Sequence, residues 1–131
     1  MLPAKPFRDY TAAEVLQLAS ACTWPSRIYL RVKFDKHRTD WIDTTKMPLS
    51  FDQFEALHAL LSAASSSSIY YYERQDGQVR FAIMADVKAW GRKYKNAGLI
   101  VDPLNRRMIG LWKVAKGERY FKRQDSWRRL R

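Results

Sequence analysis

Cysteine is nearly absent. Cys22 is the single one in 131 residues, so no internal disulfide can staple the fold. Stability must then come from packing, and a reducing compartment, the cytoplasm, is expected. His37 and His58 are the only histidines, which leaves a transition-metal site little choice of ligand. No apolar run approaches the roughly 18 residues of a membrane span. The opening MLPAKPFRDY lacks the apolar middle region of a secretory signal. A phosphate-cradling glycine loop, a nucleophile elbow and a CxxC pair are all missing. No cofactor, no membrane and no catalytic role are therefore expected. Acidic residues are scarce too: 13 Asp and Glu stand against 24 Lys and Arg, a net charge of +11.

What is present suits one ordinary domain spanning 1–131. The chain is 47% hydrophobic and 14% aromatic, enough for a core of normal size. The charge is uneven. Residues 1–85 carry 10 basic and 9 acidic residues, whereas residues 86–131 carry 14 and 4. A basic half on a near-neutral half attracts polyanions. Nucleic acid is the first expectation and an acidic protein surface the second.

Residues 1–9, with Pro3 and Pro6, read as an irregular arm. Thr11 and Glu14 form a capping box, with Tyr10 and Val15 placed as a hydrophobic staple. Val15, Leu16, Leu18, Ala19 and Cys22 follow at helical spacing, and Trp24-Pro25 should end that helix. Arg27 to Phe34 alternates strictly, which predicts a half-buried strand with Ile28, Leu30, Val32 and Phe34 inward. Thr39 to Thr44 reads as its partner strand. Ser50 and Gln53 make a second capping box, opening a helix with Phe51, Phe54, Leu57, Leu61 and Ala64 on one side. Four serines, Ser65 to Ser68, form a loop.

The strongest local signal is Asp76-Gly77 between two apolar runs. It predicts a hairpin over Ile69 to Met84 with a two-residue type I′ turn. That turn would set Glu73 opposite Arg80, Tyr72 opposite Phe81 and Tyr70 opposite Ile83. One face would carry Tyr70, Tyr72, Val79, Phe81 and Ile83; the other Tyr71, Glu73, Arg80 and Ala82. Asp86 should then cap a third helix running to about Ala97, where Gly98 ends it. Strands are expected at Leu99 to Val101 and Arg107 to Val114, joined by a turn at Asp102 to Asn105. Glu118 to Arg123 is a further candidate strand, and Ser126 to Arg131 a frayed end of the basic segment 116–131. The pattern predicts an α+β fold: a mainly antiparallel twisted sheet with about three helices largely on one face.

The order of two strands followed by a capped helix, MPLSFDQFEALHALL, is loosely similar to single-strand-binding coactivator-type domains. No residue's role is carried over from that likeness.

Three patterns bear on function. Arg27, Tyr29, Arg31 and Lys33 would share the outer face of the first strand, repeating about every 7 Å. Tyr71 and Arg80 would join them from the hairpin. Cations can hold phosphates while tyrosine stacks a base, the usual arrangement in single-strand binding. The second pattern is the C-terminal third: Arg92, Lys93, Lys95, Arg106, Arg107, Arg119, Lys122 and Arg123, then Trp127, Arg128 and Arg129. Arginine's planar fork suits both phosphates and base stacking. The third is Asp86-Val87-Lys88 with Asp76 upstream, which formally fits a metal-dependent nuclease. Turn and cap chemistry already account for both aspartates. His37 lies among Asp35, Asp40 and Asp43, a weaker metal candidate. The expectation is thus a small non-enzymatic nucleic-acid-binding protein favouring single-stranded DNA or RNA. An adaptor or inhibitor docking on an acidic partner is the alternative, and a nuclease the third reading.

Overall fold

The computed structural model describes residues 5–37, 50–63, 67–86, 96–113 and 127–130. They form α1 (Ala12–Ala21), α2 (Arg27–His37), α3 (Phe51–Ala63), β1 (Ser68–Glu73), β2 (Val79–Asp86), β3 (Asn96–Asp102), β4 (Arg107–Lys113) and β5 (Trp127–Arg129). The five strands make one antiparallel sheet in the order β4-β3-β2-β1-β5. The α+β domain with three helices and an antiparallel sheet is as the sequence pattern predicts.

Both capping boxes form. Thr11 Oγ1 accepts from the Glu14 amide at 3.2 Å, and Glu14 Oε1 accepts from the Thr11 amide at 2.9 Å. Ser50 and Gln53 repeat the exchange at 3.2 and 3.0 Å. Tyr10 and Val15 are both buried, as the staple requires. Val15 and Leu18 from α1, Leu30 and Phe34 from α2, and Phe54, Leu57 and Leu61 from α3 share one core with Ile69, Phe81, Ile83, Leu99, Val101 and Leu111 of the sheet.

Residues 27–34 are helical, not extended. Ser26 caps the helix, its Oγ accepting from the Tyr29 amide at 3.0 Å and its carbonyl from the Leu30 amide at 3.1 Å. The misleading alternation contains two pairs spaced by four. Residues two apart sit about 200° apart around a helix. Leu30 and Phe34 therefore turn inward, to 2% and 7% exposure, while Ile28 and Val32 turn outward. The proposed partner strand, 39–44, lies outside the described residues, and the likeness to coactivator-type domains loses the first of its two strands.

The hairpin is present with a different register. The Arg74 amide donates to the Gln78 carbonyl at 2.8 Å, and the Gly77 amide to the Arg74 carbonyl at 3.0 Å. The loop is therefore three residues, Gln75 to Gly77, with Gly77 at φ +88°. Glu73 faces Val79, Tyr72 faces Arg80, Tyr71 faces Phe81 and Ile69 faces Ile83. One extra loop residue shifts the pairing by one and turns all of β1 over. Ile69 and Tyr71 thus enter the core, and Tyr70 and Tyr72 go to the opposite face. The expected Glu73–Arg80 pair does not exist. Replacing Gly77 by valine is expected to cost about 1–2 kcal/mol, because a β-branched residue resists positive φ. Nothing lies within 4 Å of an added Cβ, so the cost is conformational, not steric. Urea denaturation should show Gly77→Asn losing much less, since asparagine tolerates that region. Equal losses would exclude the backbone explanation.

The third helix is corrected at both ends. Asp86 pairs with Asn96 and Ala85 with Ala97 in a β2–β3 ladder, so neither Asp86 nor Ala97 is helical. Residues 87–95 lie outside the described residues, as does the candidate strand 118–123. The β3–β4 register shifts between Ile100 and Val101. The turn after β3 is held by Asp102, whose Oδ1 accepts from the Leu104 amide at 3.0 Å and whose Oδ2 accepts from Asn105 Nδ2 at 2.8 Å. Thr23 clips this turn to the end of α1: its amide donates to the Arg106 carbonyl at 3.0 Å and its carbonyl accepts from the Met108 amide at 2.8 Å.

Candidate nucleic-acid interface

The helical α2 disperses the first predicted cluster. Arg27 and Arg31 lean toward α3. Arg27 Nη1 is 3.4 Å from Glu55 Oε1, and the two guanidiniums lie 5.4 and 5.2 Å from the centre of the Phe51 ring. Arg31 also reaches Asp35 at 3.7 Å. Tyr29 and Lys33 point the other way, toward β4. The Tyr29 hydroxyl donates to the Ile109 carbonyl at 2.8 Å, and Lys33 Nζ sits 5.3 Å from the Tyr29 ring centre. Tyr29 straps α2 to the sheet and is not an open stacking platform.

The hairpin candidates also move. Tyr71 is buried on the core face, where its hydroxyl donates to Glu73 Oε2 at 3.0 Å. Burial, with the Glu73 carboxylate adding to it, pushes this phenol up to about 12, while Arg8 and Arg128 pull it the other way. A buried phenol cannot stack an incoming base. Arg80 projects from the opposite face. It lies 3.6 Å from Asp102 Oδ1 and donates to the Val79 carbonyl at 2.7 Å, so its charge is already engaged. Arg106 and Arg107 are exposed at the β3–β4 turn. Arg92, Lys93, Lys95, Arg119, Lys122 and Arg123 lie outside the described residues.

Trp127, Arg128 and Arg129 are brought together, and not as a frayed end. They form β5, pairing with Tyr72, Tyr71 and Tyr70 of β1. The Leu130 amide donates to the Ile69 carbonyl at 2.7 Å and extends this attachment. Alternation along β5 sends Trp127 and Arg129 to the face of Tyr70 and Tyr72, and Arg128 to the helix-bearing face. The Trp127 and Tyr72 rings lie 5.2 Å apart at 41°, both half-buried. Trp127 packs against a small second apolar cluster of Tyr70, Ala82 and Met84, with Ile100 at its margin. Among the described residues no helix side chain joins that cluster. On the other side, Arg128 lies 5.4 Å from the Tyr71 ring centre and its Nη2 donates to the Arg8 carbonyl at 2.8 Å.

The β1–β5 edge thus offers an aromatic pair with arginines on both sides of β5, the outermost strand among the described residues. Sequence reasoning found its β5 members but missed Tyr72 and Arg8. Tyr72 was legible once a three-residue loop is allowed for the hairpin. Arg8 carries no sequence signal, since only the fold brings the N-terminal segment beside β5.

A cavity of about 380 Å³ lies where α1, α2 and α3 meet, lined by Cys22, Trp24, Arg27, Leu30, Glu55 and His58 among others. Burial pushes the Cys22 thiol up to about 11, which keeps it protonated and unreactive near neutral pH. His58 Nε2 is 2.7 Å from the Ala19 carbonyl, a structural contact between α3 and α1. Asp76 serves the hairpin, accepting from the Gln78 amide at 3.0 Å. Among the described residues no group of three or more His, Cys, Asp or Glu could hold a metal ion. Lys88, Asp40 and Asp43 lie outside them. Among the described residues no helix is long and apolar enough to cross a membrane. Compared with known proteins, the chain matches no family model, no curated protein and no solved structure.

Proposed function

We propose that this chain is a small non-enzymatic nucleic-acid-binding protein of the cytoplasm, taking single-stranded DNA or RNA across its β1–β5 edge. The observation that carries this reading is the pairing of Trp127-Arg128-Arg129 with β1, which sets the Trp127–Tyr72 aromatic pair beside exposed arginines. Arg128 and Arg129 supply phosphate contacts on the two sides of the strand, and the half-exposed Trp127 ring offers a stacking surface to an unpaired base. The excess of basic residues over 86–131 provides the long-range attraction. Duplex DNA gains less from such a platform because its bases are already stacked.

The test is fluorescence anisotropy with single-stranded DNA, single-stranded RNA and duplex DNA at two or more salt concentrations. Exchanging Arg128 and Arg129 for alanine is expected to weaken binding to all three and to flatten the salt slope by roughly 1–2 units. Trp127→Ala leaves the charge intact. It should cost about 1–3 kcal/mol on single strands with little change in salt slope and little effect on duplex. Trp127→Phe, which keeps an aromatic face, should recover most of that loss. Thermal melts of each variant check that the domain remains folded. A Trp127→Ala protein that is folded and weakened equally on single strands and duplex, or on neither, removes the edge as the reading surface.

A further inference from the structure

The outer side of α2 plays no part in the edge described above, and its chemistry differs. Ile28 is 79% exposed and Val32 59% exposed. They are one helical turn apart, so they form a continuous aliphatic strip on the line of α2 farthest from the core. At 100° per residue, Arg31 lies on one flank of this strip and Lys36 on the other, with Arg27 and Lys33 farther round. Asp35 sits beside the strip and is held by Arg31 at 3.7 Å. The helix carries four cations against one carboxylate of its own, with Glu55 of α3 beside Arg27 at 3.4 Å, which leaves a net basic charge around the apolar strip.

From this arrangement we infer that α2 is a docking surface for an acidic amphipathic helix of a partner protein. Two apolar side chains of such a helix, spaced by four, cover Ile28 and Val32, and carboxylates on its flanks meet Arg31 and Lys36. A phosphate backbone accounts for the cations but gains nothing from two exposed aliphatic side chains, so nucleic acid does not explain this side. A second copy of the chain would bring a net charge of +11 against an equally basic surface. This surface stands independently of the nucleic-acid reading, because it uses neither β5 nor Tyr72.

The experiment titrates the full chain with a labelled acidic helical peptide of roughly 15 residues, long enough to hold a helix. Its leucines repeat at the four-residue spacing among glutamates. The control peptide has the same composition with the leucines scattered. Wild type is expected to bind the patterned peptide at least tenfold tighter than the control. Ile28→Ser combined with Val32→Ser changes no charge and touches only exposed positions, so the fold stays and the preference disappears. Single-strand binding by that double variant should equal wild type. Equal binding of the two peptides by wild type, or a preference retained in the double variant, overturns the proposal. So does an Ile28- and Val32-dependent pelleting with phosphatidylserine vesicles, or a dimer lost in the double variant by sedimentation, since either names a different occupant.

Discussion

Phe81→Ala is expected to remove about 3–5 kcal/mol of stability, a large share of the roughly 5–15 kcal/mol that holds a domain together. Phe81 is fully buried in the middle of the helix-bearing face of the sheet. Its ring centre lies 5.5 Å from Tyr71, 5.9 Å from Tyr10 and 6.2 Å from Phe7. One side chain therefore joins β1, β2 and the segment ahead of α1. Truncation loses the transfer free energy of the ring and leaves a cavity that neighbours on two separate segments cannot collapse to fill. Phe81→Leu keeps most of the volume and should lose far less. Urea denaturation followed by circular dichroism checks the comparison. A loss below about 1 kcal/mol for Phe81→Ala would mean that the aromatic cluster does not form. Because Tyr71 underlies Arg128 and the N-terminal segment carries Arg8, the variant should also weaken single-strand binding at temperatures where it remains folded.

Asp102→Ala is the second large effect, at about 3 kcal/mol. It removes three hydrogen bonds and an ion pair together. The carboxylate accepts from the Leu104 amide, the Asn105 amide and Asn105 Nδ2, which define the β3–β4 turn. It also lies 3.6 Å from the Arg80 guanidinium, with side-chain exposures of 20% for Arg80 and 10% for Asp102. Removing one partner leaves a nearly buried cation unpaired, and breaking a buried pair costs about 3–5 kcal/mol. The residual exposure of Arg80 places the effect at the low end. Asp102→Asn keeps a carbonyl acceptor for the turn amides and removes the charge, so it isolates the ionic part. Arg80→Met with Asp102→Asn removes both charges and should recover stability relative to Asp102→Asn alone. A double variant no more stable than Asp102→Asn would show that the unpaired guanidinium is not the source of the loss.

Much of the candidate site was hidden by two local ambiguities. The run IYLRVKF satisfies period-two alternation and also contains Leu30 and Phe34 at helical spacing. Periodicity alone cannot choose between these. Ser26 ahead of the run is the deciding local clue, because it offers a cap to Tyr29 and gives the helix a start. The Asp-Gly pair announced a hairpin correctly but fits loops of two or three residues equally well. The difference of one residue decided whether Tyr71 or Tyr72 lies on the face that β5 completes.

Some features were settled by sequence because they depend on neighbours a few residues away. Thr11 with Glu14, and Ser50 with Gln53, satisfy the free amides of their own helices whatever the rest of the chain does. The β2 and β4 strands, the Asp102 turn and the α+β class follow from runs of alternating or helical spacing in the same way. The basic excess of the C-terminal third is likewise a property of composition. Tertiary structure alone decided which way α2 faces, since its burial depends on α3 and β4. It also decided that Tyr29 and Tyr71 are anchors rather than platforms, and that Arg8 meets Arg128 across 120 positions of sequence. The physical reason is that a residue's face is set by the surface it must bury, and that surface is assembled from segments far apart in the chain.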